Sequence, residues 1–309
     1  MPRQNAINQT NSERWPDGFV MRRLAREAYK ERRLQENRDP IRRLAQVLLA
    51  VSGFRAAGRR RVLDLRLEHN TIVLRELPAA FEGFRILQLS DLHIPESGDE
   101  ELMQNIVRLS ADTPHDLAVL TGDYRDRSFG PFENALSAMQ QLRTALAETA
   151  VAILGNHDSI NSVAPMESMG YHLLVNETMR IERTGAAFDL LGIDDPAYYR
   201  QHDLRACVAA CSTRHRFLLS HSPDPYKDAK KLGIDVVLCG HTHGGQICLP
   251  GGIAIRGNSA VPRNFISGAW RSGAMQGYTS RGAGTSIIDA RCFCPPELTL
   301  HTLVTAQGE

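Results

Sequence analysis

The chain has 309 residues, of which 42% are hydrophobic and 23% charged, the balance of a globular protein long enough to bury a substantial core. Its net charge of +1 conceals a division: residues 1–61 carry 15 Lys and Arg against 6 Asp and Glu, so the remaining 248 carry 21 against 29. A basic extension (+9) therefore precedes an acidic body (−8), and this asymmetry points to an anionic partner for the extension. The longest apolar run, Leu44 to Phe54, covers 11 residues against the roughly 18 a bilayer span needs, which argues against an integral membrane protein. Six cysteines, at 207, 211, 239, 248, 292 and 294, form no CxxC pair and read as reduced, structural thiols of a cytosolic protein.

Residues 1–18 are polar and read as disordered. A helix is expected from Val20 to Asn37, with Leu24, Ala25, Ala28 and Tyr29 on one face and Arg22, Arg23, Arg26 and Lys30 on the other. Asp39-Pro40 breaks it, and a second helical piece runs from Ile41 to about Phe54. The Arg59-Arg60-Arg61 cluster then leads into an extended segment in which Leu63, Leu65 and Leu67 alternate with polar residues. The expected division is an extension over 1–61 and a catalytic domain over 62–309.

After Pro78, short apolar runs alternate with helical stretches, the pattern of an α/β sheet. Strands are expected at Arg85 to Leu89, Leu117 to Leu120, Val151 to Leu154, Phe217 to Ser220 and Asp235 to Cys239. Helices from Asp99 to Ser110 and from Phe132 to Leu146 supply covering layers. Each strand runs into a polar cluster: Ser90-Asp91-Leu92-His93, Thr121-Gly122-Asp123, Gly155-Asn156-His157-Asp158, His221-Ser222-Pro223 and Gly240-His241-Thr242-His243. Ligands of open α/β sheets bind beyond the carboxyl ends of the strands, so five such ends imply one shared site. Near the C-terminus, Cys292 and Cys294 are expected to face the same way on a strand, and Pro295-Pro296 to make a rigid turn into the last strand.

Asp, His and Asn are hard-to-borderline ligands suited to manganese, iron or zinc, and the clusters hold enough of them for two cations. A cation pair clamps the attacking and leaving oxygens of a phosphoryl group and activates water near neutral pH. His241 and His243, two apart on an extended turn, project to the same side, as neighbouring cations require. His69, His115, His172, His202, His215 and His301 lack clustered partners and read as surface or structural residues.

Asp91-Leu92-His93, Gly122-Asp123, Gly155-Asn156-His157-Asp158, His221 and Gly240-His241-Thr242-His243, in this order and spacing, resemble the calcineurin-like metallophosphoesterases over about Leu77 to Leu303. Leu117 to Tyr124, Gly240 to Pro250 and the stretch Cys294 to Leu300 resemble a bacterial branch that includes twin-arginine-exported phosphodiesterases and lipid A pathway pyrophosphohydrolases. The resemblance implies a four-layer α/β/β/α sandwich preceded by the basic helical extension. It implies two divalent cations, with manganese first and iron or zinc as alternatives. Asp91, His93, Asp123 and His243 would hold one, and Asp123, Asn156, His221 and His241 the other, Asp123 being the bridge. His157 would face the phosphate and stabilise the transition state or protonate the leaving oxygen, with Asp158 orienting its ring or serving only as a helix cap or turn residue. Arg125 and Arg127 are candidates for phosphate contact, or for solvated loop charges.

The implied activity is hydrolysis of a phosphodiester or pyrophosphate, of a small molecule or a lipid-linked substrate such as UDP-diacylglucosamine. The competing readings are a metal-stabilised interaction module and a nuclease or cyclic-nucleotide phosphodiesterase. No aromatic stacking platform accompanies the arginines of the extension, which argues against nucleic acid. No protein partner is inferable. The expected location is the cytoplasm, with residues 1–61 either docking on an anionic membrane surface through the Leu44 to Phe54 run or packing on the catalytic domain with their arginines as a solvated face. Arg42-Arg43-Leu44 before an apolar run resembles a twin-arginine export signal, but the run starts deep in the chain and lacks a small-residue cleavage site.

Overall fold

The structure, a computed structural model, describes residues 14–36, 54–255 and 257–306. The expected disordered stretch therefore lies mostly outside the described residues, as does the second helical piece up to Phe54.

Helix α1 spans Phe19–Glu36 and helix α2 Phe54–Val62. The arginine cluster 59–61 thus lies in the last turn of a helix, where cations complement the helix dipole, rather than leading directly into a strand. The body then follows as β1 (Arg66–Leu74), β2 (Arg85–Leu89), α3 (Glu100–Ala111), β3 (Leu117–Leu120), α4 (Glu133–Arg143), β4 (Ala150–Ala152), α5 (Val163–Ser168) and β5 (His172–Leu173). After these come β6 (Glu177–Arg183), β7 (Ala186–Gly192), α6 (Leu204–Ala209), β8 (Arg216–Leu219), α7 (Tyr226–Lys231) and β9 (Val236–Cys239). The chain closes with β10 (Cys248–Leu249), β11 (Ile253–Ala254), β12 (Gly268–Ser272), β13 (Met275–Thr279) and β14 (Glu297–Thr305).

Two six-stranded sheets face each other, ordered β1-β14-β2-β3-β4-β5 and β12-β13-β9-β8-β7-β6. Strands β2 to β5 are mutually parallel, as are β7, β8, β9 and β13. Between the sheets lies a core that includes Ile86, Val119, Val151, Phe188, Phe217 and Val236. Phe188 stacks on Phe217 with ring centroids 4.5 Å apart and meets Phe81 edge-on at 5.1 Å, pairings worth about 0.5–1.5 kcal/mol beyond their area. Helices cover the outer faces. Leu102, Met103 and Ile106 of α3 and Ala135, Ala138 and Leu142 of α4 pack on the first sheet, whereas Leu204 of α6 and Ala229 of α7 pack on the second. This is the expected four-layer α/β/β/α sandwich. Asp99 caps α3, its side chain accepting from Leu102 N at 3.2 Å, and Glu100 and Glu101 follow in the first turn, where acids oppose the dipole.

Two expectations change. Residues 292 and 294 precede β14 and do not lie on a strand; Phe293 between them turns left-handed (φ 49°), so the alternation that would align the two thiols is broken. Helix α1 also presents charge inward. Phe19, Arg23 and Lys30 are buried while Ala25, Ala28 and Tyr29 are exposed. Arg23 is fully buried and ion-paired with the equally buried Asp194 at 3.1 Å and with Glu27 at 2.7 Å, and its guanidinium lies 3.3 Å from the Tyr199 ring centre. Ahead of the helix, Trp15 joins the outer core and donates to Val175 O at 3.0 Å, and Arg14 pairs with Glu167 and Glu177.

Candidate metal centre

The loops that carry the polar clusters follow β2, β3 and β4 of one sheet and β8 and β9 of the other, at one shared end of the sandwich. Backbone bonds tie them together: Asp91 N to Gly122 O (2.9 Å), His93 N to Asp123 O (3.0 Å) and Gly240 N to His221 O (2.9 Å). The glycines are there for clearance. A Cβ on Gly155 would stand 2.2 Å from Asp123 Oδ1, and one on Gly240 would stand 2.0 Å from Ser90 Oγ and 2.3 Å from Asp91 Oδ2.

All seven residues expected as ligands converge. Asp123 Oδ2 lies 3.2 Å from His221 Nε2 and 3.4 Å from His93 Nε2. On one side His93 Nε2 faces His243 Nε2 at 3.0 Å, with Asp91 Oδ1 3.5 Å from the latter. On the other, His221 Nε2 faces His241 Nδ1 at 3.2 Å and Asn156 Oδ1 at 3.1 Å. Ring nitrogens opposed at about 3 Å beside buried carboxylates form a donor set that a cation between them would satisfy. His93 Nδ1 is buried without a hydrogen-bond partner. His221 Nδ1 donates to Thr121 O at 2.8 Å, which leaves Nε2 toward Asp123 as the nitrogen whose proton a cation would replace. Asp91, His93 and His243, and separately Asp123, His221 and His241, bring their ligand atoms within 4.8 Å of one another.

The field is dominated by the carboxylates. Burial alone would raise Asp123, yet the neighbouring imidazoles, His221 foremost, hold it well below the usual range. Burial opposes the charged form of His221, but the charge of Asp123 lifts it to about 10. Burial pushes His157 down to about 3.

His157 stands at the edge of the cluster, its Nε2 4.0 Å from Asp123 Oδ2. Its Nδ1 lies 2.5 Å from Asp126 O, so this carbonyl orients the ring. Asp158 does not touch that ring. Its carboxylate instead accepts the backbone N–H groups of Asp123 (2.7 Å), Tyr124 (2.9 Å) and Gly155 (2.8 Å), and so shapes the turn that presents the central Asp123. Arg125 is buried and gives its guanidinium to the carbonyls of His157, Ser128 and Gly130, the bonds of a residue that holds the His157 loop from behind. Arg127 is exposed, 3.6 Å from Glu96, and with His93, Asp126 and Arg59 lines a cavity of about 670 Å³ beside the cluster.

Sequence reasoning missed several supports. Arg291 is fully buried behind His243 and donates to the carbonyls of Arg281, Gly282, Gly284 and Cys294. From α1, Lys30 Nζ donates to Asn156 O at 2.5 Å, Arg23 donates to Asp158 O, and Glu27 accepts from Ser159 Oγ and Ile160 N. Tyr199 Oη also donates to Asn156 O, at 3.2 Å. The available signal was the spacing 23, 27, 30, which puts two cations and an anion on one stripe of the helix.

Comparison with known proteins agrees with this geometry. The chain is 28% identical over 270 residues to the metallophosphoesterase YkoQ of Bacillus subtilis, covering 84% of this chain and 98% of that one. It is 28% identical over 235 residues to the phosphodiesterase YaeI of Escherichia coli, covering 72% and 82%. A bovine transmembrane protein with a metallophosphoesterase domain is 32% identical over 196 residues, 57% of this chain and 44% of that protein. The family match itself, to the calcineurin-like phosphoesterases, runs over residues 84–245 and takes in every strand end that feeds the cluster. The chain belongs to this family of phosphoester hydrolases that depend on divalent metal ions.

Proposed function

We propose that the chain is a dinuclear phosphohydrolase that cleaves a phosphodiester or a pyrophosphate. The observation that carries this reading is the packing of His93, His221 and His157 around one carboxylate oxygen, Asp123 Oδ2, with the other four candidate ligands flanking them. Asp91, His93, Asp123 and His243 would hold one cation and Asp123, Asn156, His221 and His241 the other. When bound, the cations supply an activated water and charge stabilisation for the phosphoryl group. Carboxylate, amide and imidazole donors without a thiolate favour manganese, with iron or zinc as alternatives. His157, oriented through Asp126 O, presents Nε2 to the phosphate; a bound anion there would offset the burial that lowers this ring, so that its protonated form stabilises developing charge or protonates the leaving oxygen. Asp158 and Arg125 serve it by fixing the two loops on which Asp123 and His157 stand.

A lipid-linked substrate such as UDP-diacylglucosamine is the finer reading. It is supported by the cavity beside His93, whose wall carries Leu102, Ile287 and Ile288 together with Arg59 and Arg127. Docking on the inner face of an anionic membrane would deliver such a substrate. Among the described residues no helix is long and apolar enough to cross a membrane.

The test is hydrolysis of bis(4-nitrophenyl) phosphate by chelated protein with manganese, iron or zinc restored in turn, followed by phosphomonoesters, cyclic nucleotides, phospholipids and UDP-diacylglucosamine. Metal-restored turnover of the diester is expected. Equal rates with and without metal would refute the reading.

A further inference from the structure

The strap formed by α1 has a second face. Where it crosses the loop after β7, Arg26, Tyr29 and Arg33 of the helix stand opposite Ala197, Tyr198 and Arg200, and between them runs a groove of about 340 Å³. Positions 26, 29 and 33 fall on one side of a helix at spacings of three and four. All three arginines and both tyrosines are exposed. No ion-pair partner stands beside Arg26, Arg33 or Arg200 among the described residues. Three guanidinium groups gathered with no acid paired to them among the described residues repel one another, and an anion between them would relieve that repulsion.

The groove walls are held rigidly. Arg23 and Glu27, on the inner side of the same helix turns, are tied to Asp194, Asp158, Ser159 and Ile160. Asp195 accepts the backbone N–H groups of Ala197, Tyr198 and Tyr199, which fixes the opposite wall. Lys30 joins the groove to the metal centre: its Nζ bonds Asn156 O and lies 4.4 Å from the Tyr198 ring centre. The groove therefore begins one side chain away from a candidate metal ligand, on the side of Asn156, His221 and His241. The larger cavity opens beside His93.

We propose that this groove is a substrate subsite for an anionic group attached to a flat unsaturated ring, the chemistry of a nucleoside phosphate, with the anion on Arg26, Arg33 and Arg200 and the ring against Tyr29 and Tyr198. Guanidinium groups read the phosphate, and tyrosine faces accept the ring with little loss of side-chain freedom. The proposal deepens the phosphohydrolase reading, since the group held here would be the part of the substrate distal to the scissile phosphate. A small diester that reaches only the metal centre would not use it.

The experiment is calorimetric titration of the metal-loaded protein with adenosine monophosphate and with ribose 5-phosphate, alongside kinetics on bis(4-nitrophenyl) phosphate. Adenosine monophosphate should bind at least about tenfold more tightly than ribose 5-phosphate. In the double variant R26A/R33A its affinity should fall by about tenfold or more, while kcat and KM for the small diester stay within about twofold. Tyr198→Leu should weaken the nucleotide and leave ribose 5-phosphate unaffected. Unchanged nucleotide affinity in R26A/R33A, or equal binding of the two phosphates by the unaltered protein, overturns the proposal. If the diester is not hydrolysed at all, the phosphohydrolase reading falls, but the titrations still decide for or against the groove.

Discussion

Asp91, His93, Asp123, His241 and His243 all take the left-handed backbone, with φ between 46° and 71°, although none is glycine. Such a conformation costs on the order of 1–3 kcal/mol per residue and persists only where the surroundings enforce it. Here the enforcement is visible in the Asp91 N–Gly122 O and His93 N–Asp123 O bonds and in the carboxylate of Asp91, which accepts His241 N. The turns swing the side chains back over the strand ends toward one point. Asp123→Asn keeps the shape of that point but halves the charge available to two cations. The variant should lose metal, measured by elemental analysis, and its activity should fall by about 10² or more. Two ions per chain in an active variant would contradict the bridging role. His157→Ala separates chemistry from binding: metal content should stay near that of the unaltered protein while kcat falls by about 10²–10⁴. If the ring protonates the leaving oxygen, the loss should shrink as the leaving group becomes more acidic.

Helix α1 shows how far an element can be read from its residues and where reading stops. Its bounds, Phe19–Glu36, match the stretch of helix formers to within a residue at each end. Its inward face does not follow from amphipathicity, because the buried positions Arg23 and Lys30 are cations whose partners Asp194 and Asn156 lie more than 120 residues away. The five strands before the metal loops were readable as apolar runs that end in Asp, His or Asn, and their bounds moved by no more than two residues. The hairpins β6–β7 and β12–β13 were not anticipated, because their outer strands alternate polar and half-buried residues. Thr184-Gly185, with both φ values positive, was the turn signal that could have revealed the first. Asp158 had two readings, ring orienter or turn residue, and its bonds to the N–H groups of Asp123, Tyr124 and Gly155 are those of the turn residue; nothing in its spacing distinguishes a ring from a backbone N–H. The buried pair on α1 carries its own expectation. Arg23→Met would leave Asp194 in the interior without its cation and should destabilise the protein by about 3–5 kcal/mol in chemical denaturation. Adding Asp194→Leu should restore a large part of that loss, because the unpaired charge is what the single change leaves behind.

At the scale of the molecule the described cations of residues 1–61 fall into two groups. Arg14, Arg23 and Lys30 are spent on the body, while Arg60 and Arg61 at the end of α2 are exposed. Beside them lies an apolar edge. Leu249 and Ile253 pair across the β10–β11 hairpin, Phe293 lies next to it, all three are about half exposed, and the Arg61 guanidinium is 5.4 Å from the Phe293 ring centre. Apolar side chains interleaved with arginines suit the interface of an anionic bilayer, where each cation near the surface contributes about 1 kcal/mol at low salt. Deleting residues 1–61 would be a poor test, since it would also strip α1 from Asp194 and Asn156. The quadruple variant Leu249→Ser, Ile253→Ser, Arg60→Glu, Arg61→Glu alters only this edge. The unaltered chain should sediment with phosphatidylglycerol vesicles at low salt, stay in the supernatant with phosphatidylcholine vesicles, and be released by about 0.5 M salt, where screening shortens the reach of surface charge to a few ångströms. The variant should stay in solution throughout while hydrolysing a small diester at the usual rate. If the unaltered chain remains in the supernatant with anionic vesicles at low salt, the edge is no membrane dock, and a lipid substrate would have to reach the cavity beside His93 from solution.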